Sequence, residues 1–194
     1  MISHRLRVSP ELFFLDYYIY LYHCFACMMR KYLFFILVLV LTGCIREQRE
    51  DSYAIQPGDR LPDFQVQMAD GSYLSSASLI GSPCFIVFFH TTCVDCQKTL
   101  PVIQQAFRQY GETVRFVAIS RAQAVSEISS WWTENGITLP FSAQEDRSVY
   151  QLFASSRIPR VYICNSRGVV VKCFDDNPCP TFQDLEQALN GLEK

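Results

Sequence analysis

The amino-acid sequence predicts an α/β fold: a mixed central β-sheet flanked by helices, with an N-terminal β-hairpin. Three observations predict it. The run Cys84–Phe89 is apolar without a break, the pattern of a strand buried on both faces. A helix-length stretch, Val94–Tyr110, follows it at once. Beyond that, strand-like and helix-like stretches alternate to the C-terminus, which is the order of an α/β domain.

Taken in order, the elements begin after Pro57-Gly58, which close a polar stretch. Residues 65–68 and 73–74 flank Ala69-Asp70-Gly71-Ser72, the signature of a hairpin. Next come the central strand and the long helix, where Pro101 predicts a kink. Residues 114–119 form a second buried strand. Residues 123–135 form a helix that stops at Gly136, and Ile128, Trp131 and Trp132 give it one packed face. Residues 147–153 make a shorter helix. The strands Arg160–Cys164 and 168–174 surround the turn Asn165-Ser166-Arg167-Gly168. Thr181 is the expected N-cap of a closing helix through Leu192.

A chain of 194 residues fits one domain of ordinary size plus an address segment. Arg30-Lys31 precede an apolar run over residues 32–41, and Leu41-Thr42-Gly43-Cys44 follow. Basic residues, about ten apolar ones and small residues before a cut form a secretory signal, too short for the roughly 20 residues of a spanning helix. The Leu-Thr-Gly-Cys end resembles the bacterial lipobox, which implies Cys44 as the lipidated N-terminus of an anchored envelope protein. On this reading residues 1–28 are an over-extended start or an apolar extension, and residues 29–43 are the signal. Residues 44–57 are the tether and residues 58–194 the folded domain. From Cys44 onward there are 13 Lys and Arg against 17 Asp and Glu, net −4, so nothing in the charge points to nucleic acid.

Nine cysteines are many for a reducing compartment, and six of them lie beyond Cys44. Cys93-Val94-Asp95-Cys96 stands where the buried strand ends and the helix begins. A thiol there lies near unpaired backbone N–H groups and the positive end of the helix dipole, both of which favour thiolate, the attacking species. A second thiol one turn on can resolve the mixed disulfide or close a bond with the first. Cys93 is therefore the candidate nucleophile and Cys96 the resolving thiol. Asp95 is expected to oppose thiolate formation at Cys93. A zinc site would need further ligands, yet His90 is the sole histidine beyond residue 43. No metal and no cofactor are expected.

Gly-Asp-Arg-Leu-Pro-Asp-Phe at residues 58–64, Asp70-Gly71, the stretch 74–81, residues 93–101 and Ile158-Pro159 together resemble the TlpA/ResA-like branch of the thioredoxin superfamily. The resemblance covers nearly all of the mature domain. It implies a thioredoxin-like fold and a membrane-tethered thiol–disulfide oxidoreductase that reduces disulfides of envelope proteins through a Cys93–Cys96 redox disulfide. It further implies a cis Pro159 facing the cysteines, with Thr92, Ile158 and Pro159 contacting substrate. A DsbD/CcdA-type membrane electron donor is implied as partner, and a monomer is expected. Where family members often carry Trp, this chain has Thr92. Where many carry a buried acid, it has Val87 and Thr99, so no proton acceptor for Cys96 is identified. His90 could tune Cys93, although a lone loop histidine is more often exposed and without a role.

Two other readings fit parts of the same sequence. A redox-inert binding lipoprotein would use the same groove without turnover. A peroxiredoxin-like antioxidant protein would need Pro and Thr where the chain has Ile86 and His90. The remaining cysteines fall on strands and a loop. In this fold the strands of Cys84 and Cys164 should lie adjacent and antiparallel, with both thiols as core filler. Cys173 and Cys179 flank a short polar loop that a disulfide could close.

Overall fold

The computed structural model describes residues 54–193, together with Tyr22, Phe25 and residues 28–31. The chain divides into two units, residues 1–49 and 50–194. In the first, the six described residues are helical and exposed. Cys44, most of the signal segment and most of the N-terminal extension lie outside the described residues. None of the described helices is long and apolar enough to cross a membrane. In the second unit, packing begins inside the segment read as tether: Ala54 is buried and the Ile55 N–H donates to Phe153 O at 2.8 Å.

Strands β1 (Gln65–Gln67) and β2 (Tyr73–Ser75) pair antiparallel as the expected hairpin. At its turn the Asp70 carboxylate accepts the Ser72 N–H at 2.9 Å, and Gly71 sits at φ +86°, where a side chain would be strained. Helix α1 (Ser76–Leu79) follows, closed by a capping box between Ser75 and Ser78.

The main sheet has five strands in the order β5 (Phe141–Ser142), β4 (Arg115–Ser120), β3 (Cys84–Phe89), β6 (Arg160–Cys164), β7 (Val170–Phe174). β3 runs parallel to β4 and antiparallel to β6, so the sheet is mixed, as the sequence predicts. Every residue of β3 is buried, which explains its unbroken apolar run. Its side chains alternate between two cores. On one face Phe85 stacks on Phe116 at 4.6 Å, and Phe116 meets Phe107 of helix α2 (Val94–Tyr110). On the other, Phe88 packs on Phe153 at 4.8 Å and on Tyr150 of helix α4 (Ser148–Gln151) at 5.4 Å.

Helix α3 (Val125–Glu134) places Trp132 against Phe89 and Phe141, with its indole N–H donating to Leu139 O at 2.9 Å. Helix α5 (Phe182–Asn190) packs beside α2, and Thr181 caps it through a capping box with Asp184. Differences from the sequence reading concern ends and short pieces, while α2 keeps the bounds the sequence predicts. α3 starts at Val125 rather than 123, because Gln123 turns its side chain to the loop after β3. α1 and β5, of four and two residues, are too short for a 3.6 or 2.0 period to show. α2 runs from Val94 to Tyr110 with the exposed Pro101 inside it.

Candidate active site

The site is built where β3 hands over to α2. Cys93 is the N-cap of α2: its Sγ accepts the Cys96 N–H at 3.4 Å, and its carbonyl accepts the Gln97 N–H at 2.9 Å. It is half-buried, and its S–H donates to Ile158 O at 3.5 Å. Cys96, one turn on, is fully buried. Burial is the main cause that pushes the Cys96 thiol up. The His90 N–H, bonded to it, and the positive charge of Arg121 pull the other way. The two thiols thus differ as an attacking and a resolving group should: one reachable, one sheltered.

Pro159 stands just before β6, and the Ile158-Pro159 peptide is cis, as the resemblance implies. Ile158 and Pro159 are buried, so it is the Ile158 carbonyl that meets Cys93. Thr92 is exposed; its N–H donates to His90 Nδ1 at 3.3 Å and its Oγ1 lies 2.9 Å from the same nitrogen. His90 therefore shapes the loop through both its ring and its backbone. Asp95 is half-buried and paired with Lys98 at 3.1 Å, which offsets part of its charge beside Cys93.

Sequence reasoning missed three residues. Gln123 and Gln97 hold Thr91, the second residue of the loop, through its N–H, hydroxyl and carbonyl. Arg121 follows β4, where its N–H donates to Phe89 O at 2.9 Å. Its guanidinium lies 5.6 Å from the centre of the Tyr150 ring, and its buried Nε has no hydrogen-bond partner among the described residues. Nothing in the local sequence marks these side chains, because the end of β4 meets the end of β3 only once the sheet is formed. The two positions where an acid was sought are apolar or capped: Val87 is core, and Thr99 Oγ1 donates to Asp95 O at 2.7 Å. Among the described residues no cluster could hold a metal ion.

The other four described cysteines are free. Cys84 and Cys164 face each other across β3 and β6, both buried, which is the expected core placement. The neighbouring Cys84 thiol and burial push Cys164 up. Cys173 and Cys179 do not close a disulfide: Cys173 S–H donates to Ile55 O at 3.6 Å and Cys179 S–H to Asp176 O at 3.9 Å. Burial pushes the Cys173 thiol up to about 12.

Comparison with known proteins agrees with the fold. The model of the AhpC/TSA family matches residues 57–173, more than half of the chain. The chain is 24% identical over 120 residues to the thiol-disulfide oxidoreductase ResA of Bacillus subtilis, covering 61% of this chain and 67% of that one. Among solved structures, a thiol:disulfide interchange protein of the thioredoxin family from Chlorobium tepidum superposes with a TM-score of 0.62. It is 20% identical and covers 72% of this chain and 98% of its own. A secreted Mycobacterium tuberculosis disulfide oxidoreductase homologous to E. coli DsbE superposes at 0.61, with 18% identity, covering 66% and 96% respectively. The chain has the thioredoxin-like fold, is similar to thiol–disulfide oxidoreductases of the ResA type, and belongs to the AhpC/TSA family.

Proposed function

We propose that Cys93 and Cys96 are the redox pair and that the chain reduces disulfides of envelope proteins. The observation that carries this reading is the pairing of a half-buried thiol at the cap of α2 with a buried thiol one turn behind it. Cys93 thiolate attacks one sulfur of a substrate disulfide, and the other sulfur leaves as a thiolate that takes up a proton. Cys96, giving up its proton, then attacks the Cys93 sulfur; the second substrate thiolate leaves, and the enzyme keeps the Cys93–Cys96 disulfide. Two electrons have passed to the substrate, and a DsbD/CcdA-type membrane dithiol returns two to the enzyme.

Thr92, Ile158 and Pro159 form the rim against which the substrate chain lies. The address segment supports an envelope location: a signal over residues 29–43 and a lipidated Cys44 joined to the domain by the tether. The secreted relative from Mycobacterium tuberculosis supports the same side of the membrane. Similarity to oxidoreductases named ResA supports turnover over the redox-inert alternative.

The deciding measurement is the equilibrium reduction potential of the protein in graded thiol–disulfide buffers, read by trapping and mapping the thiols. A value near or below thioredoxin's, about −270 mV, is expected for a reductase that needs an electron feed. A value towards about −120 mV makes it an oxidant that inserts disulfides, and 93 and 96 never pairing removes them as the redox centre.

A further inference from the structure

The loop that presents Cys93 is tied down by a chain of polar groups, partly buried, most of them supplied from distant parts of the sequence. Gln123 Oε1 accepts the Thr91 N–H at 3.0 Å, and Gln123 Nε2 donates to Thr91 Oγ1. Gln97 Nε2 donates to Thr91 O at 2.7 Å, which leaves no polar group of Thr91 open. Gln123 is itself held: its N–H donates to Gln144 O at 2.7 Å, and Ser120 Oγ accepts the Gln144 N–H at 2.7 Å. From there Gln144 Nε2 donates to Ser142 Oγ at 2.7 Å, and Ser142 Oγ donates to Gln67 O at 2.6 Å, on β1. Thr91, Ser120, Gln123 and Ser142 are all buried.

Ala122, just before Gln123, sits at φ +109°, a backbone conformation that a residue with a side chain rarely adopts. Such backbone persists where its surroundings over-determine it, and here the outcome is to aim Gln123 at Thr91. We propose that Gln123 is a positioning residue for Cys93, holding the loop so that the Cys93 sulfur stays on the N-terminus of α2. The inference rests on the reading of Cys93 as nucleophile. A sulfur kept on the Cys96 N–H meets the helix end that favours its thiolate, and slack in the loop takes it away.

The sign of the effect separates this role from a merely structural brace. Loosened packing exposes Cys93 and speeds its labelling, whereas loss of a positioned thiolate slows it. The test is the alkylation rate of Cys93 at neutral pH in the full chain, followed by peptide mass spectrometry with iodoacetamide. Gln123→Leu is expected to slow Cys93 about tenfold, the scale of one to two hydrogen bonds. Thr91→Val, which removes only the hydroxyl, is expected to slow it less. The double variant is expected to match Gln123→Leu within about twofold, since both act through one contact. An unchanged or faster rate in Gln123→Leu overturns the proposal. Should that variant not fold, an unchanged rate in Thr91→Val overturns it instead. In the wild-type chain Cys93 must be the fastest of the thiols to react; a faster one elsewhere brings down the nucleophile reading, and this inference with it.

Discussion

Cys93 and Cys96 are chemically identical and three residues apart, yet their surroundings differ: one is half-buried at the helix cap, the other buried behind it, and the mechanism proposed above gives them different tasks. Burial holds Cys96 as a thiol, and with neither Val87 nor Thr99 able to take its proton, the charge that favours its thiolate is that of Arg121. Replacing Arg121 with Met should leave the attack by Cys93 unchanged and slow the resolving step several-fold, because a smaller fraction of Cys96 is thiolate. Rapid quenching during a single turnover would show this as a longer-lived mixed disulfide on Cys93. A mixed disulfide that decays at the wild-type rate would remove Arg121 from the mechanism. The placement of the two cysteines was legible in the sequence, because strand, Cys-x-x-Cys and helix are contiguous. Arg121 and Gln123 were not, since each acts across the gap between two parallel strand ends that only the folded sheet brings together.

At the scale of elements, β3 and α2 were readable to their end residues. An unbroken apolar run and a helix capped by the first cysteine leave little freedom over where either ends. The pieces that escaped, α1 and β5, are stabilised by contacts rather than by pattern: a serine capping box for α1, pairing with β4 for β5. Helix α2 also has a polar attachment that no periodicity shows. The buried Gln104 accepts the Thr138 and Leu139 N–H groups at 2.8 and 3.0 Å and donates to Thr138 Oγ1 at 2.9 Å. Gln104→Ala leaves those N–H groups without their acceptor. It is expected to cost about 1–3 kcal/mol, seen as a lower urea midpoint with an unchanged slope. A midpoint equal to wild type would mean that the segment finds water or another partner in place of Gln104.

For the whole molecule, thiol burial ties stability to pH on the alkaline side. A thiol whose folded value is raised stabilises the fold fully below its unfolded value, near 9.0, and that stabilisation is lost as pH rises towards the folded one. For Cys173, pushed up to about 12, the window runs from about 9 to about 12. Urea unfolding with reductant present should therefore show stability falling above pH 9, and falling less steeply in Cys173→Ala. Equal slopes would assign the loss to other groups. The same burial has a further consequence for Cys84 and Cys164, which face each other across β3 and β6. In the cycle proposed above, a disulfide carried at Cys93 and Cys96 risks being passed on to the chain's own spare thiols. By sealing these two inside the sheet, the fold behaves as a chemist's protecting group does, keeping them out of reach while the chemistry runs at the rim. That protection exists only in the folded chain, so the order of events at birth matters: folding has to come before oxidation if electrons are to have one way through.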